Sequence, residues 1–365
     1  MDMKSIILLI FKLLMIGLFL GPFFSPAHAL DELFDLYDSP QGLAMGNAFS
    51  ADATGYAANY YNPAGLAKGS LKNWEITIVG ADGMLSTGGI ANFAGAQSFA
   101  VHRINNDIQK KGGGYFYQRA NLVAGIQRKG FGFSILGTSE LAEKSDGFST
   151  DFKHTQDLIP TFGGALNLAG NLLKIGVSVK GILRREVKGT YFHEELATAE
   201  LIDAQFKEGV AIGTDLGMLL TLPHLYLPTL ALVCHDLLNT EFLAPSRIFT
   251  DNGLGRPGSI PRSLNAAVSL HPRLSRDFLA TFSFEFKHIE RTDLPWQKRT
   301  HFGTQIELGR SWYFWGGMNQ LYPTGGIGLR VKGGNIEIGS YAVDIGPGDV
   351  RAVDRRISMR YTIGF

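Results

Sequence analysis

The sequence predicts an all-β fold: a transmembrane antiparallel β-barrel of about fourteen strands with an N-terminal plug segment inside it. Three observations point there. The first is the last nine residues. Ile357, Met359, Tyr361, Ile363 and Phe365 fall on one side of a strand, and Ser358, Arg360, Thr362 and Gly364 on the other. That is the period-two pattern of a half-buried strand. An apolar edge strand in water invites aggregation, whereas the last strand of a barrel closes on the first with its apolar face in lipid. The second is composition. Hydrophobic residues make up 45% of the chain and the mean hydropathy is +0.05. This is too low for a helical membrane protein and natural for a barrel in which alternate residues meet lipid. With 45 Gly and 25 Phe, it also suits Gly-rich strands flanked by aromatic girdles. The third is loop length, taken up below. An ordinary soluble β protein remains the alternative for the last strand alone.

Residues 1–29 read as a secretory signal peptide. Lys4 is the charged start, Ile6 to Leu20 is apolar apart from Lys12, Pro22 and Pro26 break the helix, and Ala27-His28-Ala29 is a cleavage site. The expected mature start is Leu30. No later stretch approaches the ~20 apolar residues of a spanning helix.

Residues 30–72 are the expected plug. The stretch 39–67 is small, rich in Gly and Ala and nearly free of charge, and Asn62-Pro63 favours a turn. It suits close backbone contacts better than a regular strand or a long helix. The Gly42, Met45, Gly46, Ala48 run, the Ala51-Asp52 pair and Tyr60-Tyr61-Asn62-Pro63-Ala64-Gly65-Leu66 together resemble the FadL family of outer-membrane transport proteins. The resemblance implies a hatch inside the barrel, inward passage of hydrophobic molecules such as long-chain fatty acids, and a plug or gating role for Gly46, Tyr60, Asn62, Pro63, Ala64 and Gly65. The terminal Phe365 resembles the signal read by the barrel-assembly machinery. The chain is shorter than the best-known transporters and is similar to compact relatives, which include the PorV-like proteins of secretion systems.

Residues 73–365 are the expected barrel. The first strand opens at Trp74 and runs to about Leu85. A long loop follows over 86–112, with a short helix over 90–104 as one option. Further strands are expected near 114–128, 131–143, 157–169, 172–186, 209–222, 226–238, 262–272, 276–290, 298–309, 311–321, 324–332, 334–345 and 356–365. Leu173, Ile175, Val177 and Val179 alternate with Lys174, Gly176, Ser178 and Lys180; Phe282, Phe284 and Phe286 alternate with Ser283, Glu285 and Lys287. In a barrel the apolar set faces lipid and the charged set the lumen.

Counting back from a periplasmic C-terminus, the periplasmic connections fall near Gly333, Gly309-Arg310, His271–Arg276, Pro223–Leu225, Ala169–Leu172 and Lys129-Gly130, all tight. The external ones fall at 346–355, 321–324, 291–297, 239–261, 187–208, 144–156 and 86–113, all but one longer. This sorting is what an outer-membrane barrel requires. The loop 239–261 should be irregular, and 194–203 has the pattern of a short amphipathic helix.

The formal charge of +1 gives no reason to expect a nucleic-acid partner. Nucleotide-binding and zinc-protease motifs are absent, and no cofactor or metal is expected. His154, His193, His288 and His301 stand on or beside strands without a catalytic context. The single Cys234 lies in an apolar run. Lys174, Lys180, Arg184, Glu285, Lys287, Glu307, Arg330, Glu337 and Arg360 should line the lumen, either as compensating charges that hold the plug or as contacts for an anionic head group. The leading function is therefore a channel in the Gram-negative outer membrane, surrounded by outer-membrane lipid, for uptake of hydrophobic small molecules. The alternatives are a non-transporting structural or secretion-associated barrel, and an outer-membrane enzyme recognised by a Ser–His or Asp–His pair at the interface.

Overall fold

A computed structural model describes residues 32–33, 35–69, 73–89, 114–145, 149–192, 206–243, 255–309, 311–346 and 350–365. The signal peptide, the mature start, the option of a helix over 90–104, the helical pattern at 194–203 and His193 lie outside these residues. The strands are β1 (Glu75–Ser86), β2 (Gly114–Arg128), β3 (Phe131–Ser145), β4 (Ser149–Leu168), β5 (Leu173–Phe192), β6 (Lys207–Thr221), β7 (Thr229–His235), β8 (Ser263–Leu270), β9 (Phe278–Phe286), β10 (Thr300–Leu308), β11 (Trp312–Asn319), β12 (Tyr322–Val331), β13 (Gly334–Asp344) and β14 (Val353–Gly364). Each pairs antiparallel with its sequence neighbours, and β14 returns to β1 to close the ring. Closure leaves no open edge in lipid, which is the condition for a sheet to span a bilayer. The closing pair sets Asp82 opposite Arg360, and β1 carries an irregularity between Thr77 and Gly80.

Fourteen strands stand where the alternation places them. The connections correct the reading in two places. The expected loop 144–156 is mostly strand, because β3 runs to Ser145 and β4 starts at Ser149. Likewise β5 continues to Phe192. The first carries polar residues on both faces and the second puts Lys188 and Thr190 on its outer face, so the apolar-out pattern is lost in both. They hold together through cross-strand pairs such as Lys153 with Glu140 at 2.6 Å.

The faces are inverted relative to a soluble protein. Leu122, Phe162, Leu166, Ile212, Phe284, Phe302 and Met359 point outward and are exposed, while Asp82, Ser178, Asp215, Ser269, Glu285 and Ser358 point inward and are buried. An exposed apolar belt around a polar interior is the transmembrane-barrel arrangement. The rim that carries Phe365 holds the tight turns after β2, β4, β10 and β12; it is called proximal here. The distal rim holds the longer connections, among them a helical turn at Trp296–Arg299 and a connection whose described ends are joined by a bridge between Thr240 and Ile260.

Candidate functional site

The lumen is occupied by residues of the chain's own N-terminal segment, and they are held in two different ways. The body, residues 39–69, is compact. Ser39 caps the helix Pro40–Ala44 by accepting from Gly42 N at 2.9 Å. Asn62 caps the 3-10 turn Pro63–Lys68 by accepting from Ala64 N at 3.0 Å. The Asn62 amide also donates to Ser50 O at 3.1 Å and reaches Met218 O of β6 at 3.4 Å. Tyr60 OH accepts from Ser134 Oγ of β3 at 3.0 Å. Gly46 adopts a positive φ of 63°, and its carbonyl accepts from His301 Nδ1 at 2.9 Å.

The body rests on glycine. Gly132 pairs with Gly163 across β3–β4, Gly176 with Gly217 across β5–β6, Gly303 with Gly317 across β10–β11, and Gly326 with Gly339 across β12–β13. All point inward. A Cβ on Gly132 or Gly163 would meet Asn59 and Leu66. On Gly176 or Gly217 it would meet Asn62, Pro63 and Ala64, on Gly303 or Gly317 Met45 or Gly46, and on Gly326 or Gly339 Ala44. The residues of the N-terminal motif are thus those that approach the wall most closely, on two faces of the barrel.

The strap, residues 32–33 and 35–38, is held by charge. Arg356 of β14 donates to both Glu32 oxygens at 2.7 Å. Lys287 meets Asp35 at 2.7 Å. Arg360 donates to Tyr37 OH at 2.7 Å while also holding Asp82 at 2.7 Å and Glu337 at 3.3 Å. Arg119 of β2 donates to Leu36 O and lies 3.7 Å from Asp38. Burial pushes the Asp38 carboxyl up to about 6, helped by the charge on Asp35 and opposed by Lys287 and Arg119. Asp35 ends below the usual carboxylate range: burial works against its charge, but Lys287 and His288 outweigh that. Asp52 of the body is also low despite burial, because His271 and Ser283 bond to it and Lys68 is near.

The lumen residues expected from the alternation separate into two groups. Lys180, Arg184, Glu285, Lys287, Glu337 and Arg360 are buried inside. Lys180 bridges Asp215 and Asp236 at 2.8 and 3.2 Å, Arg184 grips Asp157 at 2.8 and 2.7 Å, and Glu285 accepts from Ser50 N and Oγ at 2.9 and 2.5 Å. Lys174, Glu307 and Arg330 have luminal parity but stand at the proximal rim. Lys174 bonds the turn at Asn171 O, 2.8 Å away, Glu307 accepts from Tyr313 OH at 3.3 Å, and Arg330 is exposed and lies over the Tyr313 ring. Parity reports a face of the strand and not a height along it. Asp82, Arg119, Asp157, Asp215 and Arg356 were missed as partners, because each acquires its role only through register.

Three cavities adjoin the plug. The distal one, of about 420 Å³, sits over the strap between an apolar wall of Leu43, Met84, Tyr117, Tyr341 and Val343 and a charged wall that includes Arg119, Lys153 and Arg184. A smaller one of about 140 Å³ lies beside His235 and His288. A proximal one of about 280 Å³ lies between the end of the body and the start of β1, lined by Gly55, Leu66, Trp74 and Gln127. Ser263 Oγ is 3.0 Å from His288 Nδ1, but Asn265 Oδ1 accepts from both Ser263 Oγ and His288 N. That wiring orders the chain there and draws the serine proton away from the imidazole. No group of three metal-ligating side chains occurs among the described residues.

No protein-family model matches the chain, and no curated protein matches it in sequence. Solved structures do match. The monoaromatic hydrocarbon channel CymD is 13% identical with a TM-score of 0.57, over 89% of this chain and 97% of that one. The toluene transporter TbuX of Ralstonia pickettii is 15% identical with a TM-score of 0.53, over 90% and 98%. The toluene transporter TodX of Pseudomonas putida is 13% identical with a TM-score of 0.51, over 91% and 99%. The fold is theirs. It is also the fold that the resemblance to the FadL family implies, and the match spans nearly the whole length of both chains.

Proposed function

We propose that this protein is a channel of the Gram-negative outer membrane for uptake of hydrophobic small molecules, and that residues 30–72 act as its plug. One observation carries the reading: a closed fourteen-strand barrel with a lipid-facing apolar belt holds its own N-terminal segment in the lumen, and it shares this fold with channels described as carrying toluene and monoaromatic hydrocarbons. The resemblance to the FadL family supplies the finer form, a long-chain fatty acid-like cargo. A molecule entering from the distal side would lie first against Leu43, Tyr117 and Tyr341. Release past the plug would then follow its gradient, toward the periplasm or into the membrane. No cofactor or catalytic step is needed for this. The lumen bases are matched by acids of the protein, so we assign them to holding the plug ahead of binding a head group. The last strand, with Phe365 and Ile76 bonded to one another through their backbones at 3.0 and 2.8 Å, would be the part read by the barrel-assembly machinery.

The charged wall of the distal cavity favours a second reading, a structural or secretion-associated barrel without transport. Uptake of radiolabelled toluene and of a radiolabelled long-chain fatty acid by cells with and without the protein separates the two. Entry of either above the protein-free rate supports the channel, and the one that enters names the cargo. No increase for either, with folded protein in the membrane, sinks the transport reading.

A further inference from the structure

The two larger cavities lie at opposite ends of the β1–β2 wall. The distal one includes Arg119 and the proximal one Gln127. Along β2 the inward side chains between them are Asn121 and Val123, followed by Gly125, a run of about 20 Å. Asn121 and Gln127 are each more than nine-tenths buried, yet Asn121 Nδ2 and both polar atoms of the Gln127 amide have no hydrogen-bond partner. A buried amide without a partner carries its full desolvation penalty, and a bound water or ligand group is one physical way to meet it. These amides stand above and below one constriction. Gly80 faces Val123 and the Tyr56 hydroxyl, and Gly125 faces the Tyr56 Cβ, so the Tyr56 ring of the plug lies over the two glycines with Val123 beside it. At this level β1 loses its regular register with both neighbours, between Thr77 and Val79 toward β14 and between Thr77 and Gly80 toward β2. The ladder of the wall is interrupted where the ring closes it. Here glycine makes room for an aromatic ring that rotates on two torsions.

We propose that a polar passage for water, and for the small ions and uncharged solutes it dissolves, runs down the β1–β2 wall from Asn121 to Gln127, and that Tyr56 is its gate. Amides that both donate and accept, beside an Asp82 carboxylate already paired with Arg360, suit solutes bearing hydroxyl, amide or carbonyl groups. The inference rests on the channel reading only in needing a route past the plug.

Single-channel conductance of the reconstituted full chain in planar lipid bilayers tests it without any hydrophobic cargo. Tyr56→Ala is expected to raise conductance several-fold, and adding Gln127→Leu is expected to cut that rise. Phe49→Ala, which removes another buried ring of the plug, packed on Tyr61, should leave conductance at the native level. Should Tyr56→Ala fail to fold, Val123→Ala opens the same constriction from the wall and is read in its place. Native conductance in the folded gate variant overturns the proposal. So does an equal rise with Phe49→Ala, or a rise that Gln127→Leu does not touch. Loss of hydrophobic uptake with the conductance pattern intact would instead strike at the cargo.

Discussion

The body and the strap of the plug share one lumen and are held by different balances of forces. The body touches the wall mainly where its backbone and the side chains of Ala44, Asn59 and Leu66 sit against paired glycines. Most of its attachment is shape and dispersion, to which Asp52 adds an ion pair with His271 and Ser50 its bonds to Glu285. The strap spans the lumen on ion pairs and charge-assisted bonds to β2, to β14 and to Lys287 just beyond β9. Its attachment depends on every charge keeping its partner, because a buried charge left alone is far costlier than a neutral gap. From this contrast we propose that the body is the fixed part of the plug and the strap the releasable part. The motif residues Asn62, Pro63, Ala64 and Gly65, expected to gate, lie where movement is sterically hardest, and the strap lies where a change of charge state acts.

The largest test of this contrast is Lys287→Met. It leaves Asp35 and Glu285 buried without their cation, and breaking one side of a buried pair costs ~3–5 kcal/mol. The strap should become open to protease in detergent while the body stays protected. Simultaneous loss of both would mean that the two are one unit. Gly176→Val approaches from the other side. Its side chain would occupy the space of Pro63 and Ala64, and overpacking of this kind costs roughly 1–3 kcal/mol. Thermal unfolding should fall, with no change in its dependence on salt. A new salt dependence would show that the body too is held mainly by charge.

A smaller effect comes from pH. Unfolded, Asp38 titrates near 3.8, and in place near 6. Between those values the folded protein holds the extra proton, so stability falls as pH rises through the window and stays lower above it. Asp35 acts in the opposite sense: its contribution is full at neutral pH and is lost only as pH falls below the usual carboxylate range. The strap should therefore resist protease better at pH 5 than at pH 7.5, and Asp38→Asn should remove the difference. A strap equally protected at both values would place the Asp38 titration outside this window.

The contrast was half legible in the sequence. Strands such as β2 were readable because each residue there declares its face, lipid or lumen. The first residues of β4 were not, since polar side chains such as Asp151 and Lys153 beyond the bilayer give no alternation. The motif at Asn62–Gly65 marked the body, but its glycine partners could not be picked from 45 glycines without register. Asp35 and Lys287, or Tyr37 and Arg360, are too far apart in sequence for spacing to join them. Only closure of the ring brings β14 over the strap.

Glu32→Gln gives the smallest expected change, and it sharpens the comparison because it removes a strap charge without orphaning a buried one. The Glu32 side chain is 27% exposed, so its own desolvation is partial. Arg356 keeps Asp354 at 2.6 Å, the Tyr115 hydroxyl at 3.0 Å and the face of the Tyr117 ring at 3.4 Å. The cation therefore still has an acid, an acceptor and an aromatic face after the substitution. With Glu32 partly exposed and Arg356 keeping a second acid, the pair should contribute about 1 kcal/mol, the upper end for pairs open to solvent, and the loss in thermal unfolding should stay near that value. Protease should reach only the residues before Asp35. A loss as large as that of Lys287→Met would mean that the strap is held mainly at its outer end, and that its release begins at Arg356 and not at the buried Lys287.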